Sequence, residues 1–315
     1  MGDIPERVME APTYFDRPVL KPPRWDWNVT AYLFLGGIMG GLGLLSLVAR
    51  GDREDERRLR RTARFASLAL AAANPALLIS HLGRPERFLH MLRIVKFRSP
   101  MSLGVWGLLL YSGAAGANVV RELAEAGVLP RWTRHLAPSI ATPLQALLGA
   151  FTAGYTGVLL SATAIPLWAA GKRHIPAASV CSGLGGACAL ASLLSALQGN
   201  DSVKPKLERL EMVAVTAELF VLNDFRKAGG YYAKPLFEGS RGERLRAYTM
   251  LAGIAVPTAL NTLGAIVELP RPLDAIRTAA ASVLTLVGGY VFRESLIESG
   301  KLSARDPHAA FVQPR

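Results

Sequence analysis

Four side chains, His81, Arg84, Glu218 and Glu268, stand inside or at the ends of long apolar segments of this sequence. Each is of a type that carries protons or donates strong hydrogen bonds. His81 and Arg84 lie in the run Ser80-His81-Leu82-Gly83-Arg84-Pro85-Glu86-Arg87-Phe88, where an apolar segment gives way to charge. A guanidinium at that depth is a fixed donor for an anionic or carbonyl-bearing ligand, and an imidazole titrates near neutral pH. The same pair reads equally well as an Arg that snorkels to the interface and a His that caps a helix. Glu218 and Glu268 are proton-path candidates, because an acid in apolar surroundings is costly unless it has a partner or a role. Asn223 and Asp224 follow Glu218 closely enough to extend a relay. A protonated Glu218 bonded to a backbone carbonyl is the other reading.

Resident redox centres do not fit the remaining residues. The five histidines, His81, His90, His135, His174 and His308, all fall at segment ends or in loops, so no facing pair is available for a haem and none is expected. Cys181 and Cys188 lie seven residues apart on one helix face, a spacing that does not suit a disulfide. An iron–sulfur cluster takes four cysteines or a mixed Cys/His set, so none is expected in this chain, nor is a metal site.

The elements that must position these residues are membrane helices. Only 19% of the 315 residues are charged, against about 25% in a soluble domain. Residues 99–120, 136–171 and 175–200 carry no Asp, Glu, Lys or Arg. About 20 apolar residues cross a hydrocarbon core of ~30 Å, and each stretch is long enough. The pattern predicts an all-α integral membrane protein of eight transmembrane helices, arranged as two four-helix bundles. The expected spans are 28–49, 65–80, 101–120, 143–164, 176–197, 207–223, 247–267 and 272–292. The sixth is the least apolar, because Glu211 and Glu218 lie inside it, and Pro257 interrupts the seventh. Residues 1–27 hold nine charged residues and no apolar core of a signal peptide, so they read as an extramembrane lead. Residues 28–293 form the membrane domain and 294–315 an extramembrane tail.

The net charge of +12 does not point to nucleic acid, since the basic residues cluster in short segments between apolar runs. Trp25 and Trp27 suit an interfacial aromatic belt. The spacing of Gly36, Gly37, Gly40, Gly41 and Gly43 predicts close helix–helix approach; no strand precedes these glycines, so they are not a phosphate loop. Seven arginines crowd 50–64, yet the whole Lys and Arg distribution leaves the orientation open.

Four motifs in chain order resemble those of the NrfD/PsrC family, the membrane subunits of polysulfide-reductase-like complexes. The first is Trp27-Asn28-Val29-Thr30-Ala31-Tyr32-Leu33-Phe34-Leu35-Gly36-Gly37. The second is His81-Leu82-Gly83-Arg84-Pro85 followed by Ser99-Pro100-Met101-Ser102, where His81 stands in place of the family's Asp. The third is Tyr155-Thr156-Gly157-Val158-Leu159-Leu160 running to Pro166-Leu167-Trp168, and the fourth Leu286-Val287-Gly288-Gly289-Tyr290-Val291-Phe292-Arg293. The resemblance covers the whole chain.

What it implies is a pocket for a quinone (menaquinone or ubiquinone) as exchangeable substrate, built from Asn28, Tyr32, His81, Arg84 and Tyr155. It also implies a four-cluster ferredoxin-like iron–sulfur partner and, through it, a molybdenum, tungsten or other catalytic subunit. The Ser303-Ala304-Arg305-Asp306-Pro307 tail is similar to the branch found beside formate-dehydrogenase-type subunits. The implied setting is a bacterial or archaeal cell membrane, with the termini on the partner's side and no catalysis by this chain alone. Exchanging Asp for His81 keeps a hydrogen-bonding group and alters its pH dependence. The reading from a different class is a secondary transporter or proton channel, for which Pro257 is a hint.

Overall fold

The computed structural model describes residues 20–49, 51–81, 84–93 and 95–311, apart from the side chains of His81, Arg87, Ala310 and Phe311. Eight long helices follow one another: α1 (Trp27–Val48), α2 (Glu54–His81), α3 (Pro100–Glu125), α4 (Ala141–Ser161), α5 (His174–Leu197), α6 (Lys204–Ala228), α7 (Gly239–Ile266) and α8 (Arg271–Ser303). The described residues contain no strand. Short helices, among them Arg131–Leu136, Pro166–Ala170 and Gly230–Phe237, occupy the connections.

Seven of the eight, all but α6, are long and apolar enough to cross a membrane. With 25 residues α6 has the length, but Glu208, Glu211 and Glu218 and its basic ends lower its apolarity. Two bounds differ from those expected. Helix α2 begins eleven residues before 65, because hydropathy detects only its apolar part. Its charged first turns are held by Glu54, Asp55 and Glu56 at the positive end of the helix dipole and by an Arg58–Glu54 bond of 3.2 Å one turn apart. Helix α8 runs eleven residues past 292, so residues 294–303 of the expected tail belong to it. Its 33 residues span about 50 Å, more than a bilayer core needs.

Helix α1 lies at the centre, against α2, α4, α5 and α8. Its glycines make that possible. A Cβ on Gly149 would stand 2.5 Å from the Gly40 carbonyl, so α1 and α4 touch backbone to backbone. On another face a Cβ on Gly183 of α5 would stand 2.7 Å from the Gly37 carbonyl. Without a hydrophobic driving force between helices in lipid, such close packing is what holds them together.

Pro257 does not break α7. The residues before it, Leu245–Ala255, form a π-helix, whose wider turn accommodates a ring that lacks an N–H. Thr249 in this segment donates to the Gly288 carbonyl at 3.1 Å, which fixes α7 to α8. The end of α8 packs under Pro166–Ala170: Trp168 Nε1 donates to Leu296 O at 2.9 Å and Leu167 N to Ser303 Oγ at 3.1 Å. Trp25, just before α1, stacks on the same Trp168 at 5.3 Å.

Candidate functional site

Because successive helices run up and down, the start of α1 meets the end of α2, the start of α3 and the end of α4. Asn28 Nδ2 donates to Ser80 Oγ at 3.3 Å, and Tyr155 Oη donates to Pro100 O at 3.0 Å. Tyr32 lies one helical turn beyond Asn28 on the same face. Between these helices is a cavity of about 20 Å³ lined by Tyr32, Gly36, Asn74, Gly104, Thr152 and Tyr155, among others. Gly104 is where the Tyr155 ring rests; a side chain there would occupy the position of the phenol.

Two acceptor oxygens at this rim have no hydrogen-bond partner among the described residues: Asn28 Oδ1 and Asn74 Oδ1. Asn74 is fully buried, and among the described residues its amide nitrogen reaches only the Met39 sulfur, at 3.5 Å. Buried polar atoms are almost always satisfied, so an unpaired carbonyl facing a cavity marks a place for a donor from elsewhere. The cavity in this state holds about one water. A ring could enter only if Tyr155 swung off Gly104.

Of the sequence candidates, Tyr32 and Tyr155 line the cavity together, and Asn28, bonded to Ser80 one turn before Tyr32, lies outside the lining. Arg84 is exposed in the connection after α2, outside the cavity lining. His81 closes α2 at the same rim, and its side chain lies outside the described residues. Asn74 was missed. Its signal was present: an amide in the middle of an apolar run is a membrane-buried polar group.

Beneath the cavity a polar chain joins α2, α3 and α4. Gln145 donates to Ser67 at 2.8 Å, Asn118 donates to Gln145 at 2.6 Å, Thr142 donates to Asn118 at 2.8 Å, and Arg64 donates to Thr142 at 2.9 Å. Arg64 also pairs with Glu122 at 2.7 Å. Amide groups relay protons poorly, so this chain is a cross-link that fixes the three helices around the cavity.

A second array lies between α6 and α8. Glu208, Glu211 and Glu218 share one side of α6, with Arg277, Thr285 and Arg293 at matching heights on α8. Arg277 bridges Glu208 at 2.8 Å and Asp274 at 2.7 Å, and Lys204 binds Asp274 at 2.6 Å. Thr285 donates to Glu211 at 2.6 Å. Ser182 of α5 hydrogen-bonds Glu218, and Arg293 lies close enough to act on its charge. Glu218 Oε1 and the Nε and Nη1 atoms of Arg293 are buried without partners among the described residues. Glu268, the other proposed proton-path acid, is exposed in the turn between α7 and α8 and does not join this array. Asp224 binds His174 at 3.0 Å at the opposite end. In the tail, the Tyr231 phenol donates to Asp306 at 2.6 Å and holds that carboxyl below its usual range.

Seven apolar helices, the central one glycine-lined, with a polar rim at one end, define a multi-pass membrane protein. The family described as polysulphide reductase, NrfD, matches residues 19–303. Protein NrfD of Escherichia coli (strain K12) is 27% identical over 228 residues, covering 64% of this chain and 70% of that protein. A protein NrfD homolog of Haemophilus influenzae is 23% identical over 326 aligned positions, covering 94% of this chain and 99% of that one. The chain belongs to the NrfD family, whose members are typically membrane subunits of redox complexes.

Proposed function

We propose that this chain is the quinone-reactive membrane anchor of a multisubunit oxidoreductase in a bacterial or archaeal cell membrane. It exchanges electrons with an iron–sulfur partner and, through that partner, with a catalytic subunit. The observation that carries the reading is the rim cavity between α1, α2, α3 and α4. There, Tyr32 and Tyr155 share the lining with Asn74, whose buried amide oxygen lacks a donor among the described residues; Asn28 Oδ1, one turn before Tyr32, is unpaired as well. A quinone needs donors for its carbonyls, and the quinol it becomes needs acceptors for its hydroxyls. Tyr32 supplies the first, and Asn28 and Asn74 supply the second. In this reading His81, at the end of α2, and Arg84, exposed in the connection after it, are the groups through which a proton arrives for each reduction step.

The array of Glu208, Glu211 and Glu218 supports proton movement through α6 and α8, with Glu218 its inner end. Glu268 would at most collect protons at the surface. The array also favours a second reading, ion or proton translocation without quinone chemistry. Packing supports an eight-span arrangement with α6 crossing, as two four-helix groups, α1–α4 and α5–α8, joined where α1 meets α5.

The test is quinone-linked turnover of the intact complex. His81→Ala, Asn74→Leu and Tyr155→Phe should each lower turnover by about tenfold, the value of one hydrogen bond lost in a buried site. Assembly with the iron–sulfur partner should survive all three. Unchanged turnover in all three variants would remove the quinone site, and co-purification without any iron–sulfur protein would favour the translocation reading.

A further inference from the structure

At the end of the helices opposite the quinone rim, two adjoining cavities of about 730 and 300 Å³ share Arg121, Glu125 and Ser139. The larger lies between the end of α3 and the short helix Arg131–Leu136, and receives Arg131 and Arg134. The smaller reaches inward to Arg60 and Arg64 of α2. These five guanidinium groups face two carboxylates, Glu122 and Glu125, which leaves an excess of three positive charges without counting His135. Glu122 is already engaged by Arg64 at 2.7 Å and approached by Arg60 and Arg61 at 3.6 and 3.5 Å. Arg64 is 5% exposed, and its Nε has no partner among the described residues; Arg121 Nε is in the same condition. Unsatisfied buried guanidinium nitrogens in a cleft of net positive charge call for an anion.

The cleft continues into apolar surface. Trp132 and Leu136 are exposed beside it, and Ile140, Leu144 and Leu147 follow at helical spacing down the outer side of α4. A free anion would use the arginines and leave that stripe unused. A molecule with a phosphate head and long acyl chains uses both, and Trp132 is of the type that sits at headgroup level. We infer that the cleft formed by α2, α3, α4 and the helix Arg131–Leu136 is a binding site for an anionic glycerophospholipid. Its phosphate lies among Arg121, Arg131 and Arg134, and one acyl chain lies along Ile140, Leu144 and Leu147. The inference is independent of the quinone reading.

The experiment uses the full-length chain in nanodiscs of phosphatidylcholine, with and without phosphatidylglycerol, and reads retained lipid by native mass spectrometry. Arg131 and Arg134 are both exposed, so R131Q/R134Q should fold normally. Phosphatidylglycerol should be retained preferentially by the unaltered chain. The double variant should bind it about thirtyfold more weakly, the combined effect of two arginines at an anionic lipid surface. Lys172→Gln with Arg173→Gln removes the same charge at the opposite rim and should change nothing. Equal retention of phosphatidylcholine, or an equal loss in the control variant, would overturn the site. Displacement of the lipid by inorganic phosphate or glycerol 3-phosphate at equal concentration would reassign it to a free anion. Protection of Arg131 and Arg134 from arginine-directed labelling only in the assembled complex, whatever the lipid, would assign the cleft to a protein partner instead.

Discussion

At the scale of single residues, the proposed function draws most on Glu218 and Asn74. Asn74 offers a fixed acceptor in the rim cavity. Glu218 is a carboxyl 3% exposed, with one oxygen unpartnered and the Arg293 guanidinium nearby. A lone buried charge in such a place would cost several kcal/mol, so a group that can hold or release a proton is better suited to it than one permanently charged. Glu218→Gln keeps the shape and the Ser182 hydrogen bond but cannot release a proton. Groups that transfer protons directly contribute roughly a hundredfold or more, and a relay removed from the quinone is expected to cost about tenfold. Proton uptake per electron pair in reconstituted liposomes should fall with Glu218→Gln and recover with Glu218→Asp. Uptake that is the same in all three would leave Glu218 a structural acid.

At the scale of elements, the glycine contacts of α1 decide whether the cavity can form. Gly40 and Gly149 hold α1 and α4 in backbone contact, and that crossing sets the distance from Tyr32 to Tyr155. Gly40→Val should therefore destabilise the chain by about 1–3 kcal/mol or abolish its assembly, as overpacking does at a closed contact. Gly36, one turn earlier, is the contrast: a Cβ there would have only the Asn74 amide as near neighbour, at 3.9 Å. Gly36→Ala should leave thermal stability unchanged, and equal losses at both positions would show that α1 and α4 are not packed in this way. The small-residue spacing was legible in the sequence; which partner each glycine meets was not. The beginning of α2 and the end of α8 were hidden for a related reason. A membrane helix does not stop where its apolar stretch stops, and Glu54–Arg58 and Ser295–Ser303 remain helical on local propensity and packing. That Tyr32 and Tyr155 approach one another was suggested by motif order alone, because the approach joins helices more than a hundred residues apart. The Glu208–Arg277 pair, 69 residues apart, left no sequence signal, although each charge was visible by itself.

At the scale of the whole molecule, the open quantity is the number of crossings. Trp25 stacks on Trp168, and Lys301 at the end of α8 donates to the Trp25 carbonyl at 2.5 Å. The segment entering α1 and the segment leaving α8 are thus at the same end of the helix array. Seven helices qualify by apolarity alone, and seven crossings would place these two segments on opposite sides of the bilayer. Their contact fits an even number, and the proposed arrangement reaches it with α6 as the eighth span. In that arrangement Arg277, Thr285, Ser182 and Arg293 face its acids from α8 and α5 in place of lipid. A reporter active in one compartment, fused ahead of residue 20 and separately after residue 311, should therefore give the same result at both positions. The same reporter placed in the 198–203 connection should give the opposite one, and in the 229–238 connection the original one. Identical signals from the 198–203 and 229–238 connections would mean that α6 lies along the membrane surface. The array of glutamates would then face water, and the proton path assigned to it would be lost with the eighth span.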